Sequence, residues 1–401
     1  MLMIQFDEAL KIIDKNVQTI KKADLIPIEE CRSRVLDKDY QSKFNSPKFH
    51  KASMDGIVIL KEDYFTQKEF RVSGEIKAGS KVLKELSNGE AKLIYTGGII
   101  PGEKKKLVVI MEDCIFSNNK VKFKKDNTKI NNIRNKGCDF KQGTVCLKKN
   151  SALSARSISL ASSMNLKKLK VRSKPKIAII ITGDEIRSKN NPNGEVLSSN
   201  TVILTQLISL FGGTVTQIKI SEDSKEKMIK NFKSLKDFDL LVTTGGLSVG
   251  KYDLVKTSLK KIGLDYLFEK ILMKPGKPIT FGKFKKNKFF LGLPGNPVSC
   301  YIGAIFFLKS IINKFLGYNF KYLNSVSAIS LNEIPKNNQL TSINRLLITR
   351  KKKRSYFKFF QNQDSSLQSI LNAANGVIIR KPFSKKINKG EVHEIFEFND
   401  I

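Results

Sequence analysis

KIAIIITG, residues 176–183, is an unbroken apolar run that ends in a turn. Such a run is what a parallel strand buried on both faces shows. Past it, helix and strand alternate. A helix is expected over Asn200 to Leu210, ended by Gly212-Gly213, then a strand over Val215 to Ile220 and a helix over Lys225 to Leu235. A strand over Asp239 to Thr244, another helix, a strand around Phe289 to Leu291 and a long final helix from Pro297 complete the series. Alternation of this kind predicts a doubly wound α/β unit from Lys174 to about residue 323.

Outward from that unit the texture changes on both sides. Residues 1 to about 173 mix helix and short strands with turn-rich pieces such as Phe44-Asn45-Ser46-Pro47, Gly97-Gly98 and Pro101-Gly102. Phe6, Leu10, Ile13, Val17 and Ile20 fall at helical spacing and predict an amphipathic helix. Val121 to Ile133 is polar and strand-like, and residues 151–166 read as a helix capped by Ser151. From about residue 324 the helices are lost. Short strands separated by Asn, Gly and Pro predict a small β-barrel or sandwich.

Length and composition narrow the function. A chain of 401 residues suggests two to four domains. The five cysteines, Cys31, Cys114, Cys138, Cys146 and Cys300, form no CxxC pair, which fits buried thiols in a reducing compartment better than a disulfide frame or a zinc site. With only His50 and His393 a histidine-rich metal site is excluded, so any metal is expected on carboxylates and hydroxyls, as Mg²⁺ is. The start carries Asp7 and Glu8 and no basic residue until Lys11, a poor signal peptide. No uninterrupted apolar run approaches the roughly 18 residues that cross a bilayer. The cytoplasm is the expected location, with no membrane partner. The net charge is +35, but the lysines are spread along the chain, and stretches such as Lys351 to Arg354 lack interleaved aromatics and glycines. Solvated lysine faces and steering of an anionic substrate explain that charge more simply than nucleic-acid binding does.

Four clusters could carry chemistry. Gly245-Gly246-Leu247-Ser248-Val249-Gly250-Lys251-Tyr252-Asp253 comes straight after a strand and nearly matches a phosphate loop. Tyr252 stands where that loop needs a Mg²⁺-binding hydroxyl, so an anion loop with its own Ser248 and Asp253 fits better; an ordinary tight turn is the plainer alternative. Thr182-Gly183-Asp184-Glu185 ends the decisive strand, where two carboxylates could hold Mg²⁺ or Asp184 could simply cap a helix. Lys274-Pro275-Gly276-Lys277-Pro278 projects two lysines from a proline-stiffened backbone. Leu293-Pro294-Gly295-Asn296-Pro297-Val298-Ser299 runs from a strand into a helix N-terminus, which favours anions; either segment could also be only a rigid turn. The first zone adds Ser53-Met54-Asp55-Gly56, Tyr95-Thr96-Gly97-Gly98 and Asn132-Ile133-Arg134, none specific alone.

In register, SMDG, TGGIIPGE, NIRNKGCD, TGDE, GGLSVGKYD, KPGKP and LPGNPVS resemble the molybdopterin molybdenumtransferases over nearly the whole chain. The eukaryotic relatives are the matching domains of gephyrin and its plant counterpart. The resemblance implies an α/β and β multi-domain fold: a discontinuous N-terminal domain (1–45 with 140–173), an inserted mainly-β domain (46–139), a three-layer α/β molybdopterin-binding domain (174–323) and a C-terminal β-barrel (324–401). It implies a homodimer with a shared active cleft, Asp55 and Thr96 reaching the site from the partner subunit. Glu185, Asp223, Asp253, Lys274 and Lys277 would be catalytic, with Glu185 and Asp253 on Mg²⁺. Gly245, Gly246, Ser248, Gly250, Pro294, Asn296, Pro297, Ser299 and Arg134 would bind the pterin substrate. The implied reaction takes adenylyl-molybdopterin and molybdate and yields molybdenum cofactor and AMP. A molybdopterin-adenylylating protein would act upstream, and molybdoenzymes or their chaperones downstream. A non-catalytic pterin- or nucleotide-binding scaffold or carrier is the alternative. The sequence departs from the family at Lys104-Lys105-Lys106, where small and acidic residues are usual, at Cys138 after Gly137, and at Ser198 near a frequent Asp.

Overall fold

The computed structural model describes residues 3–81, 84–124, 131–182, 199–221, 224–245, 254–285, 287–317 and 323–398. Its centre is a six-stranded sheet. The strand Lys176–Thr182 lies between Thr214–Ser221 and Leu240–Thr244, parallel to both, and Lys288–Leu293 runs parallel beside Leu240–Thr244. Two antiparallel strands, Thr280–Phe284 and Asp265–Phe268, finish one edge. Sequence pattern alone misses these two: mixed segments of four and five residues carry no decisive period. Alternation along the central strands sends side chains to opposite faces. Ile177, Ile179 and Ile181 pack with residues of the helices Ser199–Leu210 and Pro297–Leu316, while Ala178 and Ile180 pack with Met228, Phe232, Val255 and Leu259. The last four belong to the helices Lys225–Lys233 and Leu254–Lys261, so the unit has three layers.

The helix from Pro297 runs twenty residues to Leu316, with a π turn at Ala304–Leu308. By length and composition it could cross a membrane, although no unbroken apolar run in the sequence suggests it. Here 83% of its most apolar window is buried inside the protein, as a core helix. Part of its cover is the N-terminal helix Phe6–Asn16, whose Phe6 ring meets Phe306 and Phe307 edge-on at 5.3 and 5.7 Å. That helix is shorter than expected, because the chain turns extended at Val17; Val17 and Ile20 still pack on the same core.

The helix Ala155–Ser163 is capped by Ser154, not by Ser151 as expected. The Ser154 hydroxyl accepts the Ser157 N–H at 3.3 Å, and the Ser157 hydroxyl accepts the Ser154 N–H at 3.4 Å. Either serine suits a cap by residue type, and only the reciprocal bond chooses between them. At the C-terminal end five strands close into a barrel, in the order Thr341–Lys351, Arg354–Phe359, Asn324–Ser330, Val392–Glu397 and Gly376–Arg380, the last pairing back to the first. Lys352 and Lys353, both at positive φ, form the two-residue turn of the first hairpin. The barrel region does contain one helix, Gln368–Ala373, contrary to the expectation that helices cease near residue 324.

The chain between the small N-terminal strands forms its own six-stranded sheet, ordered Lys106–Ile110, Gly56–Leu60, Glu90–Ile94, Phe70–Ile76, Lys120–Phe123 and Cys114–Ser117. The Lys106 ammonium at its start is wholly enclosed and ion-pairs with Glu85. The same carboxylate accepts the N–H groups of Glu103 and Lys104 at 2.8 and 2.9 Å. Desolvation pushes the Glu85 carboxyl up, but Lys106 and the two N–H groups outweigh it and hold the pKa at about 2. A depressed folded-state pKa means stability that is present above the unfolded value and lost as pH falls through the folded one. Glu85→Gln should therefore lower the melting temperature at pH 7 by leaving a buried ammonium unpaired, a defect worth about 3 kcal/mol or more. The gap to wild type should narrow between pH 4.5 and about 2. A gap that stayed constant over that window would show that the carboxylate charge is not what holds the turn.

Candidate functional site

Three parallel strands end side by side, and one side chain ties two of their C-terminal ends. Asn200, in the first turn of the helix Ser199–Leu210 and 7% exposed, donates to the Thr244 hydroxyl at 2.9 Å and to the Gly295 carbonyl at 2.6 Å. Thr244 in turn donates to the Pro294 carbonyl at 3.1 Å, and Thr182 approaches the Thr244 carbonyl at 3.4 Å. The turn after Thr244 needs glycine. Gly245 has φ +86°, and a Cβ there would lie 2.6 Å from the Thr182 carbonyl oxygen. Ligands of open α/β sheets bind outside such strand ends.

Beside this knot lies a cleft of about 570 Å³. Lys274 and Lys277 line it, as the sequence predicts, with Ser299 from the second turn-to-helix segment. Lys274 is fixed from two directions: its strand, Met273–Lys274, pairs with Thr341–Ser342 of the barrel, and Pro275 comes next in the chain. Gly276 serves the backbone rather than the ligand. It has φ +113°, and a Cβ there would press on Ile279 and Met273 at 3.0 and 3.1 Å. Pro297 opens the final helix, and Asn296 does not cap it with its side chain. The Asn296 amide instead donates to the Ser365 hydroxyl at 2.9 Å, and the Val298 N–H donates to the Ser365 carbonyl at 3.2 Å.

The opposite wall is Asn362, Gln363, Asp364 and Ser365, which sequence reasoning misses. These are polar turn formers between two elements and read as any surface loop. The available signal is Arg345, a cation in the middle of the strand Thr341–Lys351, next to Leu346-Leu347-Ile348 and only 1% exposed. Its guanidinium donates to the carbonyls of Asp364 at 2.9 Å and Leu367 at 3.1 Å, and Gln363 pairs with its backbone at 3.0 and 3.1 Å. Asp364 is the one carboxylate in the described lining. The hydroxyl and N–H of Ser366 hold it below the usual carboxylate range, with smaller help from Arg345 and Lys274. Lysines, hydroxyls and amides suit an oxyanion.

The first-zone residues behave differently. Asp55 and Thr96 are brought together: the carboxylate accepts the Thr96 N–H at 2.7 Å and its hydroxyl at 2.8 Å, which lowers the Asp55 pKa. Both are exposed and lie in turns just outside the strands Gly56–Leu60 and Glu90–Ile94, away from the strand ends above. Arg134 is exposed, in a two-residue strand paired with Lys51–Ala52. Glu185, Asp223, Gly246, Ser248, Gly250 and Asp253 lie outside the described residues, as do Asp184 and Ser198. Among the described residues no group of three or more His, Cys, Asp or Glu could hold a metal. The described lining, two lysines with Ser299, therefore fits an anion. The knot itself is open to test. Asn200→Ala removes two buried hydrogen bonds and should cost about 1–3 kcal/mol, with Asn200→Asp no better because it sets a carboxylate against the Gly295 carbonyl. Denaturant midpoints of both variants within error of wild type would show the tie to be dispensable.

Comparison with known proteins agrees with this geometry. Residues 4–165 match the model of the MoeA N-terminal region (domains I and II), and residues 178–314 match that of a probable molybdopterin binding domain. A molybdopterin molybdenumtransferase of Staphylococcus epidermidis is 31% identical over 354 residues, covering 86% of this chain and 84% of the relative. One of Haemophilus influenzae is 28% identical over 318 residues, covering 79% and 78%. The crystal structure of a molybdopterin biosynthesis MoeA protein from Pyrococcus horikoshii superposes with a TM-score of 0.82 at 26% identity, over 99% of this chain and all of the other. With strand ends tied for an anion, a lysine cleft beside them and relatives matched along most of its length, the chain belongs to the molybdopterin molybdenumtransferase family.

Proposed function

We propose that the protein inserts molybdenum into molybdopterin, taking adenylyl-molybdopterin and molybdate and releasing molybdenum cofactor and AMP. The observation that carries this reading is the cleft in which Lys274, Lys277 and Ser299 face the barrel loop at Asn362–Ser365. Molybdate is a dianion, and two ammonium groups on a stiffened backbone with a hydroxyl lining the same cleft suit it. Placing the oxyanion there brings it beside the strand ends, where the pterin and its phosphates would lie. Release of AMP breaks the phosphoanhydride by addition of water across the P–O bond. The dithiolate sulfurs then replace oxide ligands on molybdenum, each oxide leaving as water after protonation. The lysines hold the negative charge of both anions throughout, and no protein nucleophile is required. Glu185 and Asp253 are proposed to hold Mg²⁺, which supplies charge neutralisation at the phosphates.

Assembly and location belong to the same reading. Asp55 and Thr96 form a ready-made pair on a different sheet from the cleft, so we assign them to the site of a second copy in a homodimer. A molybdopterin-adenylylating protein would deliver the substrate and molybdoenzymes or their chaperones receive the product, in the cytoplasm. A scaffold or carrier without turnover is the competing reading, and the same assay decides it: AMP release with adenylyl-molybdopterin, Mg²⁺ and molybdate.

Lys274→Ala and Lys277→Ala should each weaken molybdate or pterin binding roughly tenfold, the effect of losing one charge-assisted hydrogen bond of about 1.5 kcal/mol. Lys351→Ala and Lys352→Ala, at an exposed hairpin turn, should stay near wild type. Equal losses in all four would mean that diffuse charge, not this cleft, binds the anion. Asp253→Asn should keep the fold and lose most turnover. Light scattering should show a dimer at micromolar concentration; a strict monomer would remove Asp55 and Thr96 from the site.

A further inference from the structure

A larger cleft, about 980 Å³, opens where the chain enters and leaves the inserted sheet. Phe49 and His50 line it on the way in, Asn135 and Lys136 on the way out, and Lys61 and Lys105 at the near ends of two paired strands. We propose that this cleft is a second anion site, and that its ligand is an oligophosphate, a chain of two or more phosphates either free or esterified.

Charge is the first reason. Five lysines line the cleft, Lys61, Lys104, Lys105, Lys106 and Lys136, against a single carboxylate, Glu103, among the described residues. Lys106 is committed to Glu85, and Lys104 reaches the exposed Glu62 at 3.6 Å. None of the ion pairs among the described residues takes Lys61, Lys105 or Lys136, and all three are exposed. The Lys61 N–H donates to the Lys105 carbonyl at 2.9 Å, which sets these two like charges on adjacent chains. Like charges facing each other across paired strands are destabilising, and folding gains nothing from them. An anion would turn that repulsion into attraction.

Preorganisation is the second. Glu85 binds the backbone of residues 103 and 104 and the ammonium of 106, so the turn that presents Lys105 is held by a single carboxylate. Across the cleft, the Lys136 N–H donates to His50 Nδ1 at 3.3 Å. A nitrogen that accepts carries no proton, which leaves Nε2 as the ring's N–H donor. The chemistry is thus several lysine point charges and an imidazole N–H around one cavity, which suits phosphates. Its volume lies at the upper end of the roughly 300–1,000 Å³ typical of small-molecule sites, which favours an oligophosphate over an acidic peptide. Phe49, 44% exposed, offers a face to a ring esterified to the phosphates. This is not the cleft that holds Lys274 and Lys277. Lys61 and Lys105 also stand at the opposite end of the strand Gly56–Leu60 from Asp55, roughly 20 Å away at ~3.3 Å per residue.

Calorimetric titration of the full-length protein with tripolyphosphate and with ATP, at about 0.15 M salt so that exposed charges are screened, tests the proposal. The variant Lys61→Ser/Lys105→Ser is compared with Lys351→Ser/Lys352→Ser, which removes the same charge far away. The cleft pair should weaken saturable binding about tenfold or more, and the remote pair less than about twofold, with no loss of melting temperature in either. Phe49→Ala sorts the source: loss for ATP alone marks an esterified ligand, and no loss for either marks a free phosphate chain, both at this site. Equal weakening by the two lysine pairs would overturn the proposal, as would absence of saturable binding. So would loss on Lys274→Ala instead, or displacement of tripolyphosphate by a glutamate oligomer of equal charge.

Discussion

The tie made by Asn200 is the constraint on which the α/β unit turns. Parallel strands deliver backbone to one edge, but nothing in a sheet fixes the loops that leave it. The Asn200 amide joins the end of Leu240–Thr244 to the turn after Lys288–Leu293, and the Thr244 hydroxyl passes the link to Pro294. Gly245 can then sit against the Thr182 carbonyl without a side chain to hold it off. The Cys300 thiol, buried below this point in the final helix, shows how dry the base of the site is: burial pushes its pKa up to about 12 despite the Thr244 hydroxyl. A polar knot on an apolar floor has few alternatives, because each of its groups would lose its partner if the strand ends moved apart.

The barrel is the other half of that rigidity. It contributes the loop that closes the cleft, and it controls that loop through Arg345, a cation placed where an apolar residue would pack more easily. Burying a guanidinium is costly unless its donors are met. Here carbonyls of Asp364 and Leu367 meet them. The loop in return touches the final helix of the α/β unit at Asn296 and Val298, and the barrel pairs with Met273–Lys274. Lysine side chains that are mobile in isolation thus gain a fixed backbone on one side and a shaped wall on the other.

Legibility in the sequence divides along the same line. The run at residues 176–183 and the helix–strand alternation after it are plain to read, because a doubly buried strand has a pattern that solvent exposure does not blur. The barrel is legible as short strands between turn formers, although its closure is not, since that depends on strands far apart in the chain, such as Thr341–Lys351 and Gly376–Arg380. Lys274, Lys277 and Ser299 stand out because prolines and glycines mark the segments that carry them. The wall at 362–365 does not, since Asn, Gln, Asp and Ser in a row announce a loop and nothing about what the loop faces. Ser154 and Ser151 illustrate the limit at its smallest: three residues apart, equally good caps by type, and separated only by which hydroxyl the helix reaches.

The charge of +35 acts through this geometry. A lysine in water contributes little to any one contact, because its field is screened within about 8–10 Å and its side chain loses rotamer freedom on binding. The lysine excess therefore acts mainly on encounter, raising the local concentration of anions near the surface. Selection among anions falls to the few lysines whose backbone is already held. Lys274 is held by a strand pairing and the proline after it, and Lys105 by a turn anchored on Glu85. Lys352 and Lys353 sit at the tip of a hairpin and have neither. The distinction between a charged surface and a charged site in this protein is one of backbone restraint, and it is the surrounding hydrogen bonds, not the ammonium groups themselves, that draw it.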